Sequence, residues 1–388
     1  MKVAVLGGGP SGAFAAEKLA AAGVETIVVD EKLAWEKPCG GGLTYKAWSE
    51  YPFLANNATP HKTITESVLS APKSKPVTLT LDRPLLIYSR LDLNGMLLAR
   101  AQKAGAQIEQ TRVLSAERIG TRWALRTKNG TLEADHCVIA TGARNSMKAF
   151  GTELKAADAM IALGYYVPGD REKIDIQFLP GLDGYIWVFP RRGHLSVGIC
   201  GKGEPAAALR TRLETWMAEQ GLSHKGAAFY SHLLPSLETA SWKSNRISGE
   251  GWHAVGDAAG LVDPITGEGL YYAIRSADLA AQSILTGVPY RQLLKHGVTD
   301  ELEFASSLAH RVFHGSFAFG TVTSRMVQFT RRSPQFRALM QDLFAGTQPY
   351  AGLKRRLLKN LNRSMLEIAL SLFAGEDCSP QPKRSTAP

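Results

Sequence analysis

Apolar positions cluster from Val3 to Leu6, and β-branched ones from Thr26 to Val29. Between them lies a glycine turn, then a segment from about Ser11 to Ala22 that Gly23 closes. This pattern predicts a strand, a turn, a helix and a second strand. Residues 31 to 60 have weak periodicity and a glycine cluster, and are expected to form a long functional loop. Short strand patterns occupy roughly 64 to 90, followed by a helix from Leu91 to Ala104 that Gly105 ends. Four short strands are expected over 107 to 141, with a turn at Lys128-Asn129-Gly130. Residues 158 to 200 again read as strands, ending in a Pro190-Arg191-Arg192-Gly193 turn. Helices are expected from Ala206 to Gln220 and from Gly267 to Leu285, with a strand from Trp252 to Val255 before the second. From about 298 to 373 the pattern is almost wholly helical, and the polar tail after Gly375 is expected to be disordered.

The order of elements implies an α/β protein with a discontinuous dinucleotide-binding domain. Residues 1–60, 90–145 and 250–290 would form it. Residues 61–89 and 150–249 would form an inserted, antiparallel substrate domain, with a helical region over 291–374 and a tail over 375–388. No internal repeat is visible.

The length of 388 residues suits two domains at about 150 residues each. Apolar residues at 45% and charged residues at 21% exclude global disorder. The net charge of +10 favours anionic partners without choosing among phosphates, lipid surfaces and nucleic acid. Cys39, Cys137, Cys200 and Cys378 are widely spaced, which argues against a metal site or a disulfide framework. There is no continuous apolar run of about 18 residues, so no membrane-spanning helix is expected. Met1 to Leu6 pass straight into a glycine motif, leaving no room for a signal peptide, so a cytoplasmic setting is expected.

Gly7-Gly8-Gly9-Pro10-Ser11-Gly12 fits GxGxxG, placed after a strand and at a helix start. Gly7 permits the tight turn, Gly9 lets backbone approach a pyrophosphate, and Gly12 lets helix and sheet pack. The helix N-terminus at Ser11 faces the phosphates. Asp30 ends the second strand, where a ribose-binding carboxylate belongs. This motif alone does not separate FAD from NAD. A second motif runs from Gly256-Asp257-Ala258-Ala259-Gly260 to Asp263-Pro264-Ile265-Thr266-Gly267-Glu268-Gly269-Leu270. Asp257 suits ribityl hydroxyls, and a glycine-rich helix start suits the pyrimidine edge of a flavin. A plain reading of Asp257 is a helix cap.

At these residues the chain resembles the p-hydroxybenzoate-hydroxylase-like FAD flavoproteins, and among them the geranylgeranyl reductase family, whose GDAAG…DPxTGEG it carries. Lys37-Pro38-Cys39-Gly40-Gly41-Gly42-Leu43, the box Tyr185-Ile186-Trp187-Val188-Phe189-Pro190, and Arg90 with Asp92 match the same family. The resemblance spans residues 1 to about 290; no motif is matched beyond. It implies a Rossmann-like fold holding FAD non-covalently. Together the motifs and the resemblance assign Gly7, Gly9, Ser11, Gly12, Asp30, Cys39, Gly40, Gly42, Arg90, Val113, Gly256, Asp257, Gly267, Gly269 and Leu270 to the cofactor. They assign Cys39, Tyr185 and Trp187 to catalysis, and Tyr185, Trp187, Phe189 and Pro190 to substrate.

The function implied is reduction of isolated double bonds in a polyprenyl or prenylated lipid, by hydride transfer from reduced flavin. Tyr185, Cys39 or a water would supply the proton, and NAD(P)H or a reduced ferredoxin the electrons. Nucleic acid has no role in this reading. Aromatic monooxygenases and flavin halogenases are the rivals. Thr141 and Gly260 stand where the former carry an acid and a histidine, and the TGEG run and Cys39 loop do not fit the latter. Leu353, Leu357, Leu361, Met365, Ile368 and Leu372 share one helical face, and Arg355, Arg356, Lys359 and Arg363 another. This amphipathic pattern is expected either to pack on the protein or to touch the inner face of a membrane peripherally.

Overall fold

The Lys2–Leu6 strand sits near the middle of a six-stranded sheet, flanked by Glu25–Val29 and His136–Ile139. Gln107–Glu109, Trp252–Ala254 and Ser248–Gly249 complete it, all pairings being parallel except the last. The buried runs Val3–Leu6 and Val28–Val29 explain why this sheet is covered on both faces. Helices Pro10–Ala21, Arg90–Lys103 and Leu270–Thr286 pack around it. The computed structural model describes residues 1–145, 147, 149–317 and 319–359. The expected tail, and the part of the expected amphipathic helix after 359, lie outside the described residues.

An eight-stranded, mostly antiparallel sheet holds the strands Gly42–Leu43, His61–Ser70 and Val77–Tyr88 together with the five from Ala159 to Pro235. Asp183–Arg191 lies inside it, between Ile174–Phe178 and His194–Lys202. Alternation along this strand gives the sheet two faces. Ile186 and Val188 pack on one side in a core with Leu209, Leu213 and Trp216 of helix Ala206–Glu219. Tyr185, Trp187 and Phe189 point to the other, beneath helices Val322–Arg332 and Pro334–Phe344.

Several local expectations are corrected. Residues 107 to 141 form five strands rather than four, and three of them, Val113–Ile119, Arg122–Thr127 and Gly130–Ala134, make a separate sheet. The loop over 31 to 60 contains a two-residue strand, Gly42–Leu43, and a helix, Tyr45–Glu50. The Pro190-to-Gly193 turn is narrower, since Arg191 still pairs with His194 in the sheet. The motif from Gly256 does not open a helix directly. Gly256–Ala259 is a single 3-10 turn ended by Gly260 at φ 73°, and the helix begins only at Leu270. The region after 298 is interrupted by a hairpin, Ser316–Phe317 paired with Gly320–Thr321. Among the described residues no helix is long and apolar enough to cross a membrane.

Candidate functional site

A cavity of about 1090 Å³ runs from the ends of the parallel strands, along the aromatic face of the antiparallel sheet, to the C-terminal helices. Its polar end is lined by Gly9, Ser11, Asp30, Arg90, Thr141 and Asp257. The glycine motif divides by geometry. A Cβ on Gly12 would stand 1.8 Å from the Gly7 carbonyl oxygen, and one on Gly7 would stand 2.3 Å from that of Ala140. These two glycines serve close packing. A Cβ on Gly9 would meet nothing within 4 Å, so its backbone faces open space where a ligand can approach.

Asp30 accepts the Gly8 amide at 2.6 Å and those of Lys32 and Leu33 at 2.7 and 3.0 Å. These bonds fix its carboxylate at the cavity wall. Ser89 caps helix Arg90–Lys103 and places Arg90 on the first turn. Arg90 is buried, reaches Asn94 at 3.3 Å, and leaves its Nε without a partner. A buried guanidinium N–H facing a cavity calls for a polar or anionic ligand. The open Gly9, the fixed Asp30 and this orphaned donor fit an adenine dinucleotide.

The loop from Glu36 to Gly42 crosses the cavity and is clipped at both ends. Lys37 Nζ lies 3.1 Å from Asp257 Oδ2. Burial opposes the charge on Asp257, but Lys37, with Arg90 further off, holds its carboxyl below the ordinary range. The wholly buried Arg191 donates to the carboxylate of Glu36 and to the carbonyls of Cys39 and Gly40. Glu36 also accepts from the hydroxyl of Ser89 and from the Arg90 amide at 3.0 Å. Cys39 Sγ accepts the Gly41 amide at 3.3 Å. Burial raises this thiol, yet Arg90 and Arg191 bring it below its usual value. Missing Cβ atoms let Gly40 and Gly42 lie against Phe189, whose ring atoms would stand 3.1 and 3.2 Å from them.

The other motifs meet at the same place. The Tyr185 hydroxyl donates to the Thr266 carbonyl, and a Cβ on Gly267 would lie 3.2 Å from that hydroxyl. The Tyr185 and Trp187 ring centroids are 6.2 Å apart. Asp263 accepts the amides of Ile265 and Thr266 and the Tyr350 hydroxyl at 2.9 Å, shaping the turn that presents Gly267, Glu268, Gly269 and Leu270 to the cavity. Beyond the aromatic wall the lining is apolar, with Ile174, Phe178, Met326, Phe336, Met340 and Phe344.

Of the residues expected here, Gly9, Ser11, Asp30, Cys39, Gly40, Gly42, Arg90, Asp257, Gly267, Gly269, Leu270, Tyr185, Trp187 and Phe189 line this one cavity. Gly7, Gly12 and Gly256 stand behind it as packing glycines, Gly256 at φ 57° with Ser11 Oγ 3.1 Å from a Cβ placed there. Val113 does not belong to it, because it starts the edge strand of the separate three-stranded sheet. Pro190 is buried with its side chain off the cavity, since alternation along the strand turns it from the face of Phe189. The Asp257 cap reading also fails, because the following helix is capped by Gly269. Sequence reasoning missed Glu36, Arg191, His232 and Glu268. His232 is half-buried on the wall, and burial, then Lys37, pushes its imidazole down to about 3. It is therefore neutral near pH 7. Burial and Asp263 push the Glu268 carboxyl up to about 7, although a 2.8 Å bond from Thr44 opposes this. Only the TGEG run signalled Glu268, and nothing local signalled the rest.

Residues 1–160 match the family model described as pyridine nucleotide-disulphide oxidoreductase. The chloroplastic geranylgeranyl diphosphate reductase of Arabidopsis thaliana is 29% identical over 323 residues, 74% of this chain and 66% of that protein. The chain thus spans about two thirds of that relative. Digeranylgeranylglycerophospholipid reductase 1 of Methanopyrus kandleri is 28% identical over 305 residues, 72% of this chain and 79% of that one. A geranylgeranyl bacteriochlorophyll reductase-like protein of Thermoplasma acidophilum superposes with a TM-score of 0.75 at 22% identity, covering 92% of this chain and 98% of its own. A flavin-dependent brominase does so with 0.66 at 16%, covering 94% and 100%. These structures share the fold. Gly9, Ser11, Asp30, Arg90 and Thr141 of the polar end fall within the matched residues, and Asp257 lies beyond them. With the reductases as its sequence relatives, the chain is similar to the FAD-dependent geranylgeranyl reductases.

Proposed function

We propose that the protein reduces isolated carbon–carbon double bonds in the prenyl chain of a polyprenyl lipid. The observation that carries this reading is the continuity of the cavity. One end has the polar groups that fit FAD, and the rest is an aromatic and aliphatic passage suited to a long unsaturated chain. Bound FAD supplies the electron pair. Gly9, Asp30, Arg90 and Asp257 would hold it, with the Cys39–Gly42 loop and the Gly267–Leu270 turn at its reactive end. An unactivated alkene needs close positioning and exclusion of water. Tyr185, Trp187 and Phe189 supply that wall.

Tyr185 is a poor proton donor, because its hydroxyl already donates to Thr266 and burial raises it well above its usual value. Glu268 is better placed to hold the proton. It lines the cavity and keeps its proton up to about pH 7. The reductase relatives act on a diphosphate and on a phospholipid, which supports a prenyl substrate with an anionic head. NAD(P)H or a reduced ferredoxin would deliver the electrons.

The test is anaerobic incubation of the dithionite-reduced protein with geranylgeranyl diphosphate or prenylated lipids, followed by mass spectrometry. A gain of one dihydrogen per alkene supports the reading. A gain of oxygen or halogen under air and halide, with no hydrogenation, overturns it.

A further inference from the structure

We propose that the far mouth of the cavity is a docking surface for an anionic lipid bilayer, with the Ser316–Phe317/Gly320–Thr321 hairpin as its inserted element. Phe317 is 51% exposed, Phe319 is wholly exposed, and Leu358 is 60% exposed. Phe319 has a φ of 61°, a left-handed conformation that a bulky side chain rarely adopts. The hairpin thus holds an aromatic ring outward, off the core.

This patch is continuous with the site. Phe317, Leu357 and Leu358 belong to the cavity wall as well as to the outer surface. The Phe317 ring packs edge-on against Phe329, 6.3 Å away, and Phe329 lines the passage further in. Phe317, Leu357, Leu358 and Phe329 thus give an apolar strip from the outer surface into the passage.

Charge selects the occupant. Arg311, Lys354, Arg355 and Lys359 are exposed around the mouth. None of the four makes an ion pair among the described residues, while the neighbouring Asp342 is engaged by Arg356 at 2.6 Å. A second copy of this chain, itself carrying a net charge of +10, would bring two cationic rims together. Anionic headgroups would neutralise the rim while the phenylalanines enter the acyl boundary. Of the helical faces expected from sequence, Leu357, Arg355 and Lys359 join this patch, Leu353 lines the cavity and Arg356 is paired, and the part after 359 lies outside the described residues. The inference depends on the prenyl-reductase reading for its purpose, but the binding itself is measured without turnover.

The experiment is co-sedimentation of the full chain with vesicles of phosphatidylcholine alone or mixed with phosphatidylglycerol, at low and high salt. Native protein is expected to bind the mixed vesicles and to be released by salt. The double variant Phe317→Ser, Phe319→Ser should bind about tenfold less, and Phe319→Ser alone should weaken binding with unchanged thermal unfolding because that ring is wholly exposed. A Lys354→Glu, Lys359→Glu variant should lose most of the salt-sensitive part. Equal binding of native and Phe317/Phe319 variant, or no binding of native protein, overturns the proposal. So does a native dimer in sedimentation equilibrium that the same phenylalanine substitutions dissociate without any vesicle binding. Reduction of a detergent-solubilised prenyl substrate is read separately, and its failure would sink the reductase reading while leaving the vesicle result standing.

Discussion

Lys37 Nζ and Asp257 Oδ2 form a 3.1 Å ion pair between residues 220 positions apart. The pair joins the loop after the second parallel strand to the turn after Trp252–Ala254. Both side chains are largely withdrawn from water, at 20% and 14% exposure. Removing one partner leaves the other desolvated and uncompensated. Lys37→Met is expected to cost about 2 kcal/mol in urea unfolding. Asp257→Ala should in addition release most of the flavin, read as absorbance per protein after gel filtration. A fully yellow Asp257→Ala protein would show that this carboxylate does not hold the cofactor.

The two ends of that pair show what the chain's sequence discloses. Asp257 stands in a run of glycines, and Asp30 closes a β-branched strand, so local pattern marks both. The glycine requirements are equally local, as when Gly12 must leave room for the carbonyl of Gly7. Arg191 and His232 meet partners far along the chain, and no nearby residue distinguishes them. Arg191 and Arg192 are adjacent, yet Arg191 is wholly buried and Arg192 exposed. What separates them is strand alternation together with Glu36, which lies 155 positions away. The Ser316–Thr321 hairpin escaped notice because two-residue strands show no period. Its flanks are helical, and the surrounding pattern dominates.

The glycine motif yields a paired prediction. Gly9→Ala places a methyl group in open space, so the protein should fold with little loss of stability. Its flavin content should nevertheless fall, because the methyl occupies the approach of the pyrophosphate. Gly12→Ala drives a carbon to 1.8 Å from a backbone oxygen that cannot swing away. It should cost about 3 kcal/mol or more, or prevent soluble expression. Thermal unfolding and flavin content of the two proteins separate these effects. Equal stability losses would mean that Gly9 is also a packing glycine.

Arg191 is expected to be the residue that keeps the Cys39 loop in register. Its guanidinium serves Glu36 and two loop carbonyls at once, which a lysine ammonium cannot match in geometry. Arg191→Met should cost about 3 kcal/mol and Arg191→Lys somewhat less. The Cys39 thiol should shift upward in Arg191→Met, since Arg191 is one of the two charges that lower it, and less in Arg191→Lys, which keeps the charge. The pH dependence of Cys39 alkylation reads this directly. An unchanged alkylation profile in Arg191→Met would leave Arg90 as the sole charge acting on the thiol.

Glu268 gives the clearest pH dependence. Burial raises its carboxyl from the ordinary 4.5 to about 7, the Thr44 hydroxyl opposes the rise, and Asp263 adds to it. Between these values the folded protein binds a proton that the unfolded chain has already lost. Stability must therefore fall as pH rises from about 4.5 to about 7, with the full penalty present above that window. Glu268→Gln has no such proton to lose. Asp263, also raised by burial, titrates in both proteins, so the difference reports Glu268 together with its coupling to Asp263. Urea midpoints at about pH 5 and about pH 8 should show native protein losing more stability than Glu268→Gln over that interval. The same residue makes a kinetic prediction. If Glu268 holds the proton passed to the alkene carbon, single-turnover alkene reduction should decline above about pH 7, and Glu268→Gln should be slow at every pH. Flavin reduction by dithionite needs no such donor and should be unaffected. A variant with native alkene reduction and a native pH profile would assign the proton to water, and leave Glu268 as a shaping residue of the Asp263 turn.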